Sequence, residues 1–218
     1  MESSDVSRAP QALNPPYIIG IAGPAGAGKT SLARSLAQAL GDASVIHIDA
    51  YQRVTQQPLG QVAEWMARGG DFDEFPIPVL PDHLRKLKQG ESVHDPVSLQ
   101  QIAARKYIVF ETHFGRAHSA TGQFIDYLVW IDTPLDVALA RNIRDFIRPV
   151  LDDPRAVVDR NRLAWLDDYV AGYLQHVRAL VQMQQARVGS YADLVVDGSL
   201  EAQALLEHVR DHVLARLP

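Results

Sequence analysis

The stretch Gly23-Pro24-Ala25-Gly26-Ala27-Gly28-Lys29-Thr30 constrains this chain more than any other: a glycine, four residues, then Gly-Lys-Thr. Chance would produce that pattern in roughly one chain of this length in a hundred, and its setting lowers the odds further. It follows a compact apolar run, Tyr17 to Ala22, and opens a helical pattern, Thr30 to Leu40, with Leu32, Ala33, Leu36, Ala37 and Leu40 on one face. Glycines let the backbone curl until successive N–H groups point inward, and the helix adds its positive end to the same spot. The result is a cradle for the phosphates of a nucleotide. Gly23, Ala25, Gly26, Ala27, Gly28, Lys29, Thr30 and Ser31 are the expected nucleotide contacts. The Lys29 ammonium would reach the β- and γ-phosphates, and the Thr30 hydroxyl would ligate magnesium.

The rest of the chain alternates in the same manner. Ser44 to Ile48, Lys106 to Glu111, Ile125 to Asp132 and Leu194 to Val196 read as further short strands. Helices are predicted near Gln61 to Arg68, over Pro81 to Gln89, and from Pro134 to about Arg148, where Pro149 should stop the helix. Asp159 to Arg187 and Ser199 to Leu217 complete the set. Leu163, Leu166, Val170, Tyr173, Val177 and Leu180 recur at three-and-four spacing, which predicts a core-facing stripe too short for a coiled coil. Strand–helix alternation implies an α/β fold with a parallel sheet covered on both faces.

Composition narrows the function. A net charge of −5 argues against a general nucleic-acid or anionic-membrane binder. There is no cysteine, hence no disulfide or thiol chemistry, which fits a cytoplasmic location. Residues 1–15 lack the basic start and apolar stretch of a signal peptide, and are expected to form a loose tail before a single domain spanning 16–218.

In the order and spacing of several stretches the chain resembles the uridine kinase and phosphoribulokinase group of P-loop kinases. They are Gly20 through Thr30, His47-Ile48-Asp49-Ala50-Tyr51, Asp71 to Pro76, Leu84 to Val97, Val109-Phe110-Glu111, Val129 to Leu135, and Arg141, Arg144 and Asp145. The likeness covers most of residues 17–200. It implies a three-layer sandwich around a five-stranded parallel sheet of order 2-3-1-4-5, with a helical lid at about 141–162. It also implies transfer of the γ-phosphoryl of ATP, with GTP as the alternative, and with Mg2+, to a hydroxyl of a small metabolite.

Residue by residue, the resemblance makes Asp49 the base for the acceptor hydroxyl, Asp73 a ligand of substrate hydroxyls, and Arg141 and Arg144 lid groups on the transferring phosphoryl. Thr30 and Glu111 would serve the metal. Arg141, Arg144 and Arg148 share one helical face, and Arg155, Arg160 and Arg162 lie just beyond. A solvated basic face is the plainer account of that cluster, and a structural ion pair the plainer account of Glu111. Tyr51, His113 and Arg116 are candidate substrate contacts, with Arg116 suited to a carboxylate or phosphate on the acceptor. His47, inside a strand, is expected to pack in the core, and no ligand spacing makes His113 and His118 a metal site.

Two departures bear on the substrate. Where the uridine enzymes follow Pro96-Val97 with a Tyr-Asp pair and a nearby His that contact the pyrimidine, this chain has Ser98-Leu99 and no equivalent His. The small Gly that follows the third-strand Glu in that family is Thr112 here. The acceptor is therefore expected to be nucleoside-, sugar- or polyol-like but not uridine. The competing class is a P-loop NTPase that couples hydrolysis to a conformational switch. Oligomeric state is left open.

Overall fold

Five strands whose residues are apolar in succession need cover on both sides, and the architecture follows from that demand. A computed structural model describes residues 14–52, 59–153 and 160–216. The strands β1 (Tyr17–Ala22), β2 (Ala43–His47), β5 (Tyr107–Glu111), β6 (Tyr127–Asp132) and β7 (Leu194–Asp197) form one sheet, laid out β2-β5-β1-β6-β7 and parallel throughout. Numbered among sheet strands alone, this is the expected 2-3-1-4-5.

Alternate residues of β1 feed two cores. Ile19 and Ile21 join Leu32, Ala33 and Leu36 of α1 (Lys29–Leu40) and Leu205, Val209 and Val213 of α8 (Ala202–Leu214). Ile18 and Ala22 face the other way, toward Leu80, Leu84 and Leu87 of α3 (Leu80–Lys88). Each such buried Leu, Ile or Val contributes about 1.5–3 kcal/mol. An aromatic group seals the second face. Trp65 of α2 (Leu59–Ala67), Phe72, Phe75 and Phe114 stand with ring centroids 4.9–5.5 Å apart. It fixes the segment after β5, beside the phosphate loop, against the residues 72–75.

Four details differ from expectation. The second strand starts and ends one residue early, because Ile48–Ala50 turn into a single 3₁₀ turn. An antiparallel hairpin, β3 (Val93–His94) with β4 (Gln101–Ile102), was not foreseen; two-residue strands carry no periodicity to read. Helix α5 (Leu135–Asp152) runs through Pro149 rather than stopping at it. Proline removes one N–H and one intrahelical bond there, a local loss that the helix absorbs so near its end.

The fourth correction concerns the predicted stripe. Between the short α4 (Ser119–Gly122) and the close of the chain, α6 (Arg160–Gly172), a π-helical turn at Tyr173–Val177 and α7 (Arg178–Arg187) follow without a break. Leu163 is 58% exposed, Leu166 and Val170 are half-buried, and burial begins only at Tyr173. Helix α6 leans on α5 instead of the sheet. Phe146 stacks on Trp165 at 4.1 Å, and Trp165 on Tyr169 at 5.4 Å. Arg155 and the start of the predicted helix at Asp159 lie outside the described residues, as does most of the 1–15 tail.

Candidate active site

All five sheet strands end at one edge, and the candidate residues gather there because parallel strands deliver their carboxyl ends together. Gly26 and Gly28 take left-handed backbone angles, φ +80° and +85°, that let the chain curl between β1 and α1. Lys29, 6% exposed, donates to the carbonyls of Gly23 at 3.0 Å and Pro24 at 2.9 Å. Burial pushes its ammonium below the usual lysine range, and the nearby charges of Glu111 and Asp49 offset part of that. The predicted loop residues thus do form a tight turn around one buried cation.

The strand register pairs His47 with Glu111 on neighbouring β2 and β5. The His47 Nδ1 contacts Glu111 Oε2, while Thr30 Oγ1 donates to Glu111 Oε1 at 2.6 Å. His47 was expected in the core; its side chain is instead 29% exposed and engaged with this acid. Burial raises the Glu111 carboxyl, but the hydrogen bonds from His47 and Thr30 outweigh it and the net shift is downward. Two residues further along, His113 Nε2 lies 2.7 Å from Asp49 Oδ1. That hydrogen bond leads the causes that hold Asp49 below the ordinary carboxylate range, with burial opposing and Lys29 and His47 assisting.

Sequence reading missed this double pairing, although its signal was present. His-x-Asp at 47–49 and Glu-x-His at 111–113 have the same two-residue period, so adjacent parallel strands in this register bring each acid to an imidazole.

The other predicted residues divide. Arg141 bridges to the loop after β7, donating to Gly198 O at 2.8 Å. It shares a cavity of about 400 Å3 with Gly26, Gly28, Ser31, Asp145 and Gly198. With Arg144, Asp145 and Arg148 it also lines a neighbouring space of about 230 Å3. Arg148 pairs with Asp152, and Arg160 is exposed. Tyr51 hydrogen-bonds His83 Nδ1 at 2.9 Å, and burial together with the charge of Asp95 pushes its phenol up. Asp73 Oδ1 accepts from the Ser119 amide at 2.6 Å, so it caps α4.

Arg116 does not face the cleft. It ion-pairs with Asp193 at 2.7 Å and donates to the carbonyls of Tyr191, Ile125 and Asp126, a clamp at the opposite, amino-terminal end of β6. Four residues separate it from Glu111, enough for the 3₁₀ turn at Gly115–Ala117 to carry it away from the site.

Parallel order, strand–loop–helix and the Gly-Lys-Thr turn define a P-loop kinase fold. Two solved structures share it. One is a Silicibacter sp. protein described as a fructose transport system kinase (TM-score 0.55, 18% identity, covering 85% of this chain and 91% of that one). The other is shikimate kinase from Acinetobacter baumannii (TM-score 0.53, 19% identity, covering 94% and 97%). No protein-family model matches the chain. In sequence it is uridine kinase-like. It is 26% identical over 192 residues to uridine kinase of Oceanobacillus iheyensis (83% of this chain, 86% of that one). It is 24% identical over 232 residues to the chloroplastic uridine/cytidine kinase of Arabidopsis thaliana (99% of this chain). The chain spans 44% of the length of that plant protein, and 26% of a mouse uridine-cytidine kinase-like protein that it also matches. Among the described residues no helix is long and apolar enough to cross a membrane.

Proposed function

We propose that the chain transfers the γ-phosphoryl group of ATP to a hydroxyl of an uncharged, polyhydroxylated metabolite: a sugar, a polyol, or a nucleoside other than uridine or cytidine. The carrying observation is geometric: the Asp49 carboxylate, held by His113 at 2.7 Å in the turn that ends β2, stands at the same sheet edge as the buried phosphate-loop Lys29. The acceptor oxygen attacks the γ-phosphorus, the bond to the β–γ bridging oxygen breaks, and the acceptor proton passes to Asp49. Lys29 and the loop amides hold the phosphates. Arg141 and Arg144, on a lid formed by α5 and α6, offset charge that develops on the phosphoryl oxygens. The cavity bounded by Ser31, Arg141 and Gly198 would take the nucleotide base.

Thr30 and Glu111 present hard oxygen donors 2.6 Å apart, a set that fits Mg2+, which takes one or two such ligands and completes its shell with phosphate and water. Magnesium, when bound, neutralises charge on the β- and γ-phosphates.

The cations carried by the chain between β2 and β6 bear on the charge of the acceptor. Between β2 and β6 each Lys or Arg among the described residues already has a partner: Arg68 with Glu74, Arg85 and Lys86 with Asp82, Lys88 with Asp126, Arg105 with Asp42, Lys106 with the Tyr107 ring, Arg116 with Asp193. This argues against the carboxylate- or phosphate-bearing acceptor for which Arg116 was suited. The open carboxylate of Asp49 and the half-buried phenol of Tyr51 offer hydrogen-bond partners to hydroxyls instead. Leu99, 73% exposed at the hairpin turn, offers no hydrogen bond to a pyrimidine.

The test compares neutral sugars, polyols and nucleosides with uridine, cytidine and anionic metabolites at equal MgATP. Turnover restricted to neutral acceptors is expected. Uridine phosphorylation with kcat/KM on the order of 10⁴ M⁻¹s⁻¹ or above would overturn the reading. Hydrolysis indifferent to every acceptor would favour a switch NTPase.

A further inference from the structure

We infer that His113 is a positioning residue for Asp49: its Nε2–H fixes one carboxylate oxygen and so presents the other to the acceptor hydroxyl. The inference rests on the function proposed above and adds a role that the phosphate loop and the base do not by themselves imply.

Geometry carries it. Asp49 stands at the end of a strand, in the single 3₁₀ turn Ile48–Ala50, with its side chain 61% exposed. A short acid so exposed would sample several rotamers unless something held it. The His113 side chain, only 16% exposed, meets Oδ1 at 2.7 Å. One oxygen is thereby tied and the exposure of the carboxylate leaves the other accessible.

The holder is itself held. Thr112, fully buried, donates its amide to Ile21 O at 3.0 Å, and its Oγ1 accepts from the amides of Phe114 at 3.1 Å and Gly115 at 3.2 Å. Phe114 is locked among Phe72, Phe75 and the His118 ring. The His113 carbonyl accepts from Gln184 of α7 at 3.5 Å. His113 thus projects from a turn fixed on three sides, and its side chain is the more buried of the pair. The ordering runs from His113 to Asp49. A threonine at 112, where a glycine would leave this turn loose, is part of the same device.

His113 takes no proton in the transfer. In the inferred arrangement its Nε2–H stays bonded to Oδ1, and the acceptor proton goes to the open oxygen of Asp49.

Two measurements test the assignment. In 15N-histidine-labelled protein, NMR should show His113 as the Nε2–H tautomer with a protected ring N–H, lost in Asp49→Ala. An unprotected ring N–H in the wild type, or no change in Asp49→Ala, would overturn it whatever the acceptor proves to be. With a neutral acceptor found in the panel above, His113→Ala should lower kcat about tenfold or more while KM for MgATP stays unchanged. His113→Gln, whose amide N–H can stand near the Nε2 position, should recover most of that loss. MgATP binding serves as the folding control. A His113→Ala variant that raises only the acceptor KM would make His113 a simple binding residue, and equal loss in His113→Gln and His113→Ala would remove the positioning role. Wild-type protein inert toward all acceptors would overturn the functional reading, and the NMR outcome alone would then decide the pairing.

Discussion

A Cβ placed on Gly26 would stand 2.3 Å from the carbonyl oxygen of Ala138, so α5 lies directly upon the phosphate loop. The same Cβ would meet Asn142 Oδ1 at 3.0 Å, and the backbone there has φ +80°. Gly26→Ala therefore meets two penalties. The left-handed backbone costs about 1–2 kcal/mol for a residue with a side chain, and the clash must be relieved by moving α5 or the loop. The expected outcome is a lowered melting temperature together with weakened ATP binding. Both are read in one thermal-shift titration with nucleotide. A variant as stable as the wild type with undiminished nucleotide binding would mean that α5 does not rest on the phosphate loop.

The acid limb of activity should report the His113–Asp49 bond. A base works only when ionised, and the hydrogen bond from His113 is the leading cause that keeps Asp49 ionised below the usual carboxylate range. Activity should thus survive acidification further than a free aspartate would allow, falling only as pH drops through the depressed value. Removing His113 takes away the largest downward cause and leaves burial, which acts upward, opposed only by the charges of Lys29 and His47. The acid limb of kcat/KM, followed down to about pH 3, should move to higher pH in His113→Ala. A limb that stays in place, or moves lower, would contradict the proposed coupling.

The strand positions, the phosphate loop and the ends of most helices were readable because each rests on local chemistry: apolar runs, glycines at a turn, prolines at a helix start; the sheet order came from the family resemblance instead. Lys29, Thr30, Asp49 and Glu111 come to one edge because parallel strands must end there. What escaped sequence reading depends on register or long-range packing. His47 looks like one more strand residue until β2 is set against β5, whose register turns it to Glu111. Arg116 looks free until the starts of β6 and β7 are seen to bring Asp126 and Asp193 within reach. The α6 stripe has helical spacing, but spacing does not say whether a helix faces the sheet or, as here through Trp165 and Phe146, another helix.

Lys29 separates nucleotide binding from every other question. Its ammonium is buried and bonded to Gly23 and Pro24 carbonyls at the mouth of the loop. Lys29→Ala removes the cation but leaves the backbone amides. Turnover should disappear and ATP affinity should fall by about tenfold or more, the scale of one lost charge-assisted hydrogen bond. Calorimetric titration of MgATP checks it, with circular dichroism to show that the variant is folded. Unchanged affinity and turnover in a folded variant would remove the phosphate-loop assignment altogether.

Arg116 provides the opposite case, a residue with the chemistry of a substrate contact and the geometry of a clamp. Its guanidinium donates to the carbonyls of Ile125, Asp126 and Tyr191 and pairs with Asp193, whose carboxylate also accepts from the Leu128 amide at 2.7 Å. These contacts join the segment after β5 to the start of β6 and to the turn before β7. Arg116→Ala would leave the carbonyls to find water at a partly buried corner, at a cost of about 1–3 kcal/mol. The prediction is a clear fall in melting temperature, with KM for both ATP and acceptor unchanged at temperatures where the variant is folded. Asp193→Ala should give a similar fall, and the double variant should lose less than the sum, because the two side chains share one interaction. Had Arg116 bound an anionic acceptor, the outcome would be reversed: stability kept, acceptor KM raised, and the loss confined to substrates bearing a negative charge.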